Sequence, residues 1–153
     1  DRRYLSELAH AATGLPVEIV PDGAAPLCAV ADAGAMTVGE FCAMLERRLG
    51  VAVRRTGSAD RITGRVAFIN GSGGSLLEKI VKTARVSCVV TGDVGHHHAI
   101  AAREAGVALI DAGHFATEQA IRGFMQRDII HCLTASGLGD LKVYLTSVES
   151  DPF

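Results

Sequence analysis

His114 and Glu118 stand four residues apart in "DAGHFATEQ" (111–119), directly after the apolar run Val107-Ala108-Leu109-Ile110. On a helix that spacing puts both side chains on one face, about 5–6 Å apart at Cβ. Imidazole and carboxylate are both good ligands for Zn, Mn or Fe. The same spacing also fits a histidine that opens a helix and a solvated glutamate behind it, and spacing alone leaves both readings open. A second cluster, His96-His97-His98, follows "TGD" at the end of another apolar run. Successive helical residues point in different directions, so one imidazole can be a ligand while its neighbour is solvated. A plain polar helix start is the alternative. Asp93 can cap that helix or orient an imidazole from behind. The third cluster is "NGSGGS" (70–75). A glycine loop between strand and helix can cradle a phosphate with its backbone N–H groups. No GK[ST] follows, and GxGxxG spacing is absent, so a tight turn is the better reading. There is no GxSxG elbow and no Cys–His pair arranged as a nucleophile. His10 and His131 fall in amphipathic helices and read as structural.

The elements that must position these groups alternate regularly from residue 65 onward. "RVAFIN" reads as a strand, "LLEKIVKTA" as a helix, "VSCVVTG" as a strand and "AIAAREAG" as a helix. "VALIDAG" is again a strand, followed by a helix from about His114 to Ser136 that Gly137 and Gly139 end. "LKVYLTSVE" (141–149) is expected to be a final strand. Earlier in the chain, a helix in "DRRYLSELAHAATGLP" is closed by Gly14 and Pro16. "VEIVP" (17–21) and "PLCAVADA" (26–33) are candidate strands. Thr37 and Glu40 form a capping box for a helix that ends at Gly50. "VAVRRTG" (51–57) reads as a strand and "SADRIT" (58–63) as a polar connection. Strands written as continuous apolar runs between helices predict an α/β fold with a mostly parallel or mixed sheet. Ligands of such sheets bind beyond the carboxyl ends of the strands. If the strands are parallel, the glycine loop, the histidine run and His114 share one edge.

The 153-residue length predicts one domain with a core that needs no disulfides. Trp is absent, aromatic residues make up 5% of the chain, and the net charge is -2. Those values argue against a nucleic-acid binder. No apolar run is long enough to span a membrane, and the first residues lack an apolar signal region. A cytoplasmic location is expected. Cys28, Cys42, Cys88 and Cys132 form no CxxC and read as buried free thiols in a reducing compartment. The first residues lie inside a helical pattern with no initiator Met, which reads as a chain entered midway.

Four stretches, "INGSGGSLLEKI", "VVTGDVGHHHAI", "EAGVALIDAGHFATEQ" and "VESDPF", occur in the order and separation of the Nif-three-like family. These are also called dinuclear metal centre proteins, and members are often labelled GTP cyclohydrolase type 2. The chain resembles the family strongly over 65–153 and more weakly over 1–64. The resemblance implies an α/β fold of two intertwined lobes, hexameric toroids, and two divalent metal ions per complete subunit. It implies that 65–153 is the carboxyl-terminal metal-site lobe and 1–64 a linking part. The family's G-H-x-A-T-E motif matches Gly113 to Glu118 without a break, which carries the metal-ligand role to His114 and Glu118. Its G-D-x-x-x-H pattern lands on Gly92, Asp93 and His97. His97 is therefore expected to line the same cleft as a general acid or base. Asp93 and His96 are expected behind the ligands or facing the substrate. The family's remaining ligands, a His-His-Pro motif and an Asp, lie in an amino-terminal lobe that this chain does not show.

The implied activity is metal-dependent hydrolysis of a nucleotide such as GTP, by a homo-oligomer with no nucleic-acid or membrane partner. A non-catalytic metal-binding or toroid-forming interaction protein is the alternative. An inactive truncated form with half of the metal site is a third.

Overall fold

The computed structural model describes residues 1–146 and Asp151. Helix α1 (Arg2–Thr13) begins at Asp1, whose carboxylate accepts from the Arg3 N–H, and Gly14 closes it. A hairpin of β1 (Val17–Asp22) and β2 (Ala25–Asp32) follows. Next come α2 (Val38–Leu49), β3 (Arg54–Arg55) and β4 (Arg65–Ser72). A 3-10 turn at Gly74–Leu76 leads into α3 (Leu77–Ala84). The chain continues through β5 (Cys88–Gly92), α4 (His96–Glu104) and β6 (Ala108–Asp111). The last two elements among the described residues are α5 (His114–Glu118) and α6 (Ile121–Ala135).

The six strands form one mixed sheet in the order β1-β2-β4-β5-β6-β3. β4, β5 and β6 are parallel, and the pairings of β1 with β2, β2 with β4 and β3 with β6 are antiparallel. Period-2 alternation along the central strands divides their side chains between two cores. Val66, Phe68, Cys88, Val90, Ala108 and Ile110 face the helices α1 and α2, whose Leu5, Leu8, Phe41 and Leu45 complete that side. Ala67, Ile69, Val89 and Leu109 face Leu77, Ile80 and Ala102 of α3 and α4. Covering both faces is what a continuous apolar strand requires. The capping box of α2 forms as expected: the Thr37 hydroxyl accepts from the Glu40 N–H, and Glu40 accepts from the Thr37 N–H.

Three elements differ from the sequence expectation. The strand at 51–57 shrinks to Arg54–Arg55 at the sheet edge. Its ladder ends because the Thr56 side chain takes over, accepting from the Leu109 N–H at 3.0 Å. The helix predicted over 114–136 is two helices that meet at Gln119 and Ala120. The Thr117 hydroxyl lies 3.0 Å from Gly113 O and 2.8 Å from His114 O, a local competition that bends helices. The predicted last strand is absent over 141–146, and the remainder of it lies outside the described residues.

Cys28, Cys42 and Cys88 are buried, whereas Cys132 on α6 is exposed, contrary to the expectation of four buried thiols. Burial pushes the Cys28 thiol to about 11 and the Cys88 thiol to about 12. A thiol-reactive disulfide reagent at neutral pH should therefore modify Cys132 alone in the folded chain, and all four once it is unfolded. Rapid modification of Cys88 in the folded state would contradict this packing.

Candidate metal centre

Because β4, β5 and β6 run in parallel, their carboxyl ends open onto one edge. Each delivers a polar segment there: Asn70–Ser72 at the end of β4, Asp93 after β5 and His114 after β6. Phe68, Val90 and Ile110 stand level across the three strands.

His114 is the first residue of α5, and Glu118 the last. His114 Nδ1 lies 2.6 Å from Asp93 Oδ2, and His114 Nε2 lies 3.3 Å from Glu118 Oε2. The other Glu118 oxygen, Oε1, accepts from Asn70 Nδ2 at 2.8 Å. Each side chain thus has one atom held from behind and one facing the other. Asp93 reaches His114 from a left-handed backbone, φ 54°, a conformation that Asp tolerates better than most residues. No side chain caps α4, so of the two roles open to Asp93, the structure shows the one toward an imidazole. That imidazole belongs to His114.

Two glycines make room for this arrangement. Gly113 has φ 78° and ψ 147°, a region essentially closed to other residues. Gly71 has φ 60°, and a Cβ there would meet Glu118 Oε1 at 2.8 Å and His114 Nε2 at 2.9 Å. The glycine loop is otherwise tied down by threonines. The Gly71 N–H donates to Thr117 Oγ1 (3.0 Å) and the Gly73 N–H to Thr91 Oγ1 (2.8 Å). Those amides serve the turn.

His114 and Glu118 open into a cleft of about 680 Å³, also lined by Asp93, Asp111, Arg54, Phe115 and Arg122. His97 is exposed at the start of α4 and does not line this cleft. His96 lines a smaller neighbouring cavity with Arg54, Arg55 and Asp111. The structure therefore brings together Asp93, His114 and Glu118, and leaves His96 and His97 outside. Asn70 falls in the glycine loop that the sequence offers as a turn, whereas Thr91, Thr117, Arg54 and Asp111 stand in no candidate role there. A charged residue closing the apolar run "VALID" was the one available signal among them.

The sequence pattern of the family described as Duf34/NIF3 (NGG1p interacting factor 3) matches residues 17–152. This chain belongs to that family. A Clostridium acetobutylicum protein named GTP cyclohydrolase 1 type 2 homolog is 30% identical over 119 residues, covering 77% of this chain and 44% of the relative. A Helicobacter pylori protein named GTP cyclohydrolase 1 type 2 is 35% identical over 116 residues, covering 72% of this chain and 42% of the relative. The crystal structure of a Bacillus cereus protein related to NIF3 superposes with a TM-score of 0.75 at 25% identity, over 82% of this chain and 34% of that one. The chain spans less than half the length of these curated NIF3 relatives.

In this NIF3 chain the hydrogen bond that His114 Nδ1 donates to Asp93 holds His114 above the ordinary histidine range; partial desolvation opposes it, and the nearby charge of Glu118 adds to it. A raised histidine value adds stability that is complete below about pH 6.5 and lost as pH rises through the folded value. The His114 side chain is 48% exposed, so the effect on stability is small. NMR titration should show His114 titrating above a free histidine, and Asp93→Asn should bring it down. An unchanged titration in Asp93→Asn would remove Asp93 as the partner.

Proposed function

We propose that this chain carries part of a divalent-metal site serving hydrolysis of a nucleotide, with GTP the first candidate. The observation that supports this most directly is the convergence of His114 Nε2 and Glu118 Oε2, each with its remaining polar atom already engaged. A carboxylate behind the imidazole is the usual companion of a metal-binding histidine, fixing the tautomer and raising ligand basicity. The donor set fits Zn, Mn or Fe. Among the described residues no group of three or more His, Cys, Asp or Glu is placed to hold an ion. In this reading the other ligands come from water or from protein beyond those residues, as a four-ligand site requires. The names of the curated relatives support GTP as substrate.

When bound, a divalent ion would make a coordinated water nucleophilic near neutral pH. His114 Nε2 and Glu118 Oε2 would hold the ion. Asp93 keeps the proton on His114 Nδ1, so that Nε2 presents its lone pair. Asn70 holds Glu118 Oε1 and leaves Oε2 to the site. Phe115 and Ile121 give the cleft an apolar wall. His97 lies outside the lining residues and is assigned no proton transfer.

Metal content by mass spectrometry tests the site. The wild-type chain should retain Zn, Mn or Fe, and the His114→Ala, Glu118→Ala double variant should lose it. Affinity should fall as pH is lowered through the raised His114 value, because a proton on Nε2 competes with the ion. Gly71→Ala should also weaken retention, since its methyl would press on His114 Nε2 and on Glu118 Oε1, the oxygen that Asn70 holds. Formate release from GTP by the metal-loaded protein tests the reaction. No formate with any of the three metals would sink the cyclohydrolase reading and leave the metal site standing.

A second reading, an assembly module, has its own support. Met125, Ile129 and Ile130 of α6 are exposed, together with Leu138, Leu141, Tyr144 and Leu145 after it. Seven large apolar side chains left exposed within one stretch of chain, 125–145, support an interaction role. Light scattering should show a homo-oligomer, as large as a hexamer, that Ile129→Glu with Leu141→Glu dissociates. A strictly monomeric wild-type chain would count against it.

A further inference from the structure

Asp111 is a buried carboxylate to which the proposed function gives no role. It closes β6, is 8% exposed, and sits between the two loops that carry the site. Its Oδ1 accepts from the Gly113 N–H at 3.1 Å, and Gly113 immediately precedes His114. Its Oδ2 accepts from the Val94 N–H at 3.3 Å, and Val94 immediately follows Asp93. The Arg54 guanidinium of β3 reaches the same Oδ2. One side chain thus holds the neighbour of each member of the Asp93–His114 pair.

We propose that Asp111 is the positioning residue of this centre: it locks the β5–α4 loop to the β6–α5 turn so that Asp93 Oδ2 meets His114 Nδ1. The consequence for metal rests on the metal-site reading above, while the positioning concerns this chain's residues alone. The backbone needs such a lock. Ala112 N–H to Thr91 O, 2.8 Å, is the last backbone bond joining the two strand ends. Past it, Asp93 and Gly113 both take positive φ. Neither α4 nor α5 has a side-chain cap to fix its start. A buried carboxylate is costly unless several donors meet it, and here three do, from three segments. The Arg54 side chain is 79% exposed, so water can reach Oδ2 when it is removed, and neither loop N–H depends on it.

The competing role is a plain staple of β3 onto β6 through Arg54. A staple predicts that Arg54→Ala and Asp111→Asn behave alike, whereas positioning predicts that they differ. In Asp111→Asn one oxygen becomes an NH₂ and can no longer accept from both loops. The test is long-range 1H–15N NMR of the His114 ring in the metal-free chain at one fixed pH, with zinc affinity measured by competition. Asp111→Asn should lose the hydrogen-bonded Nδ1 signature and weaken zinc about 10- to 100-fold. Arg54→Ala should keep the signature and stay within about threefold of wild type. An unchanged signature and affinity in Asp111→Asn, or an Arg54→Ala variant that moves as far, overturns the proposal. Loss of the signature in Asp111→Asn with no zinc bound by the wild type would uphold the positioning and defeat the metal reading. Thermal melts check folding, and Asp111→Ser, with a hydroxyl too short to span both loops, takes the place of an Asn variant that does not fold.

Discussion

The level ends of β4, β5 and β6 are the constraint on which the rest of the molecule depends. Parallel pairing sets Val66, Cys88 and Ala108 side by side, and Val90 beside Ile110. β4 has two residues more than β5 beyond this level, and the register shift between Phe68 and Ser72 takes them up, so that Ser72 ends opposite Gly92 and the loops after the three strands meet at one edge. Side chains on three separate segments, up to 48 residues apart as in Asn70 and Glu118, then need only short reaches to touch. The two apolar cores hold this register. A slip of one residue would exchange Val66 and Phe68 with Ala67 and Ile69 between the α1–α2 side and the α3–α4 side. The same slip would carry Asn70 and Gly71 away from Glu118.

Much of this was legible in the chain itself. Alternating apolar runs announce the central strands, and Thr37 with Glu40 announces the start of α2. "GHFATE" announces a histidine and a carboxylate on one helical face, and the structure places them there. Hidden from the sequence were the partners supplied by distant segments. Asn70 looks like a turn residue, Thr91 and Thr117 like ordinary strand and helix residues, and Arg54 like an edge-strand charge. Their roles exist only once β4, β5, β6 and α5 are assembled. The helix read as continuous over 114–136 is divided for the same reason. Local periodicity gives no sign that the Thr117 hydroxyl also accepts from the Gly71 N–H, and that tie holds α5 against β4 independently of α6.

The geometry also shows why the histidine triplet carried less than its rarity suggested. His96 and His97 face each other edge to face at 6.0 Å between ring centroids, on an exposed helix start. His98 turns inward against Gly74, where a Cβ would lie 2.4 Å from its Nδ1. Consecutive positions on a helix cannot converge on a point, whereas positions four apart can. The pair His114–Glu118 obeys that rule. Three histidines in a row do not.

The local cost of the centre argues that it was not built for stability. Ion pairs as exposed as His114–Asp93 and His114–Glu118, with side chains 39–56% exposed, contribute about 0–1 kcal/mol each. Against that stand a left-handed Asp93, which costs on the order of 1 kcal/mol, and two glycines, at 71 and 113, that give up side-chain packing for conformation. The charges do not balance either. Among the described residues, Asp93, Asp111, Glu118 and Asp151 line the cleft, against Arg54 and Arg122. An excess of carboxylates around a half-exposed imidazole is self-repelling unless a positive charge joins it. Protonation of His114 supplies one such charge, in keeping with its raised value. A divalent cation would supply more charge at the same atoms. Strain and like charge gathered at one strand edge are a local cost that the packing of the two cores, not the centre itself, has to offset.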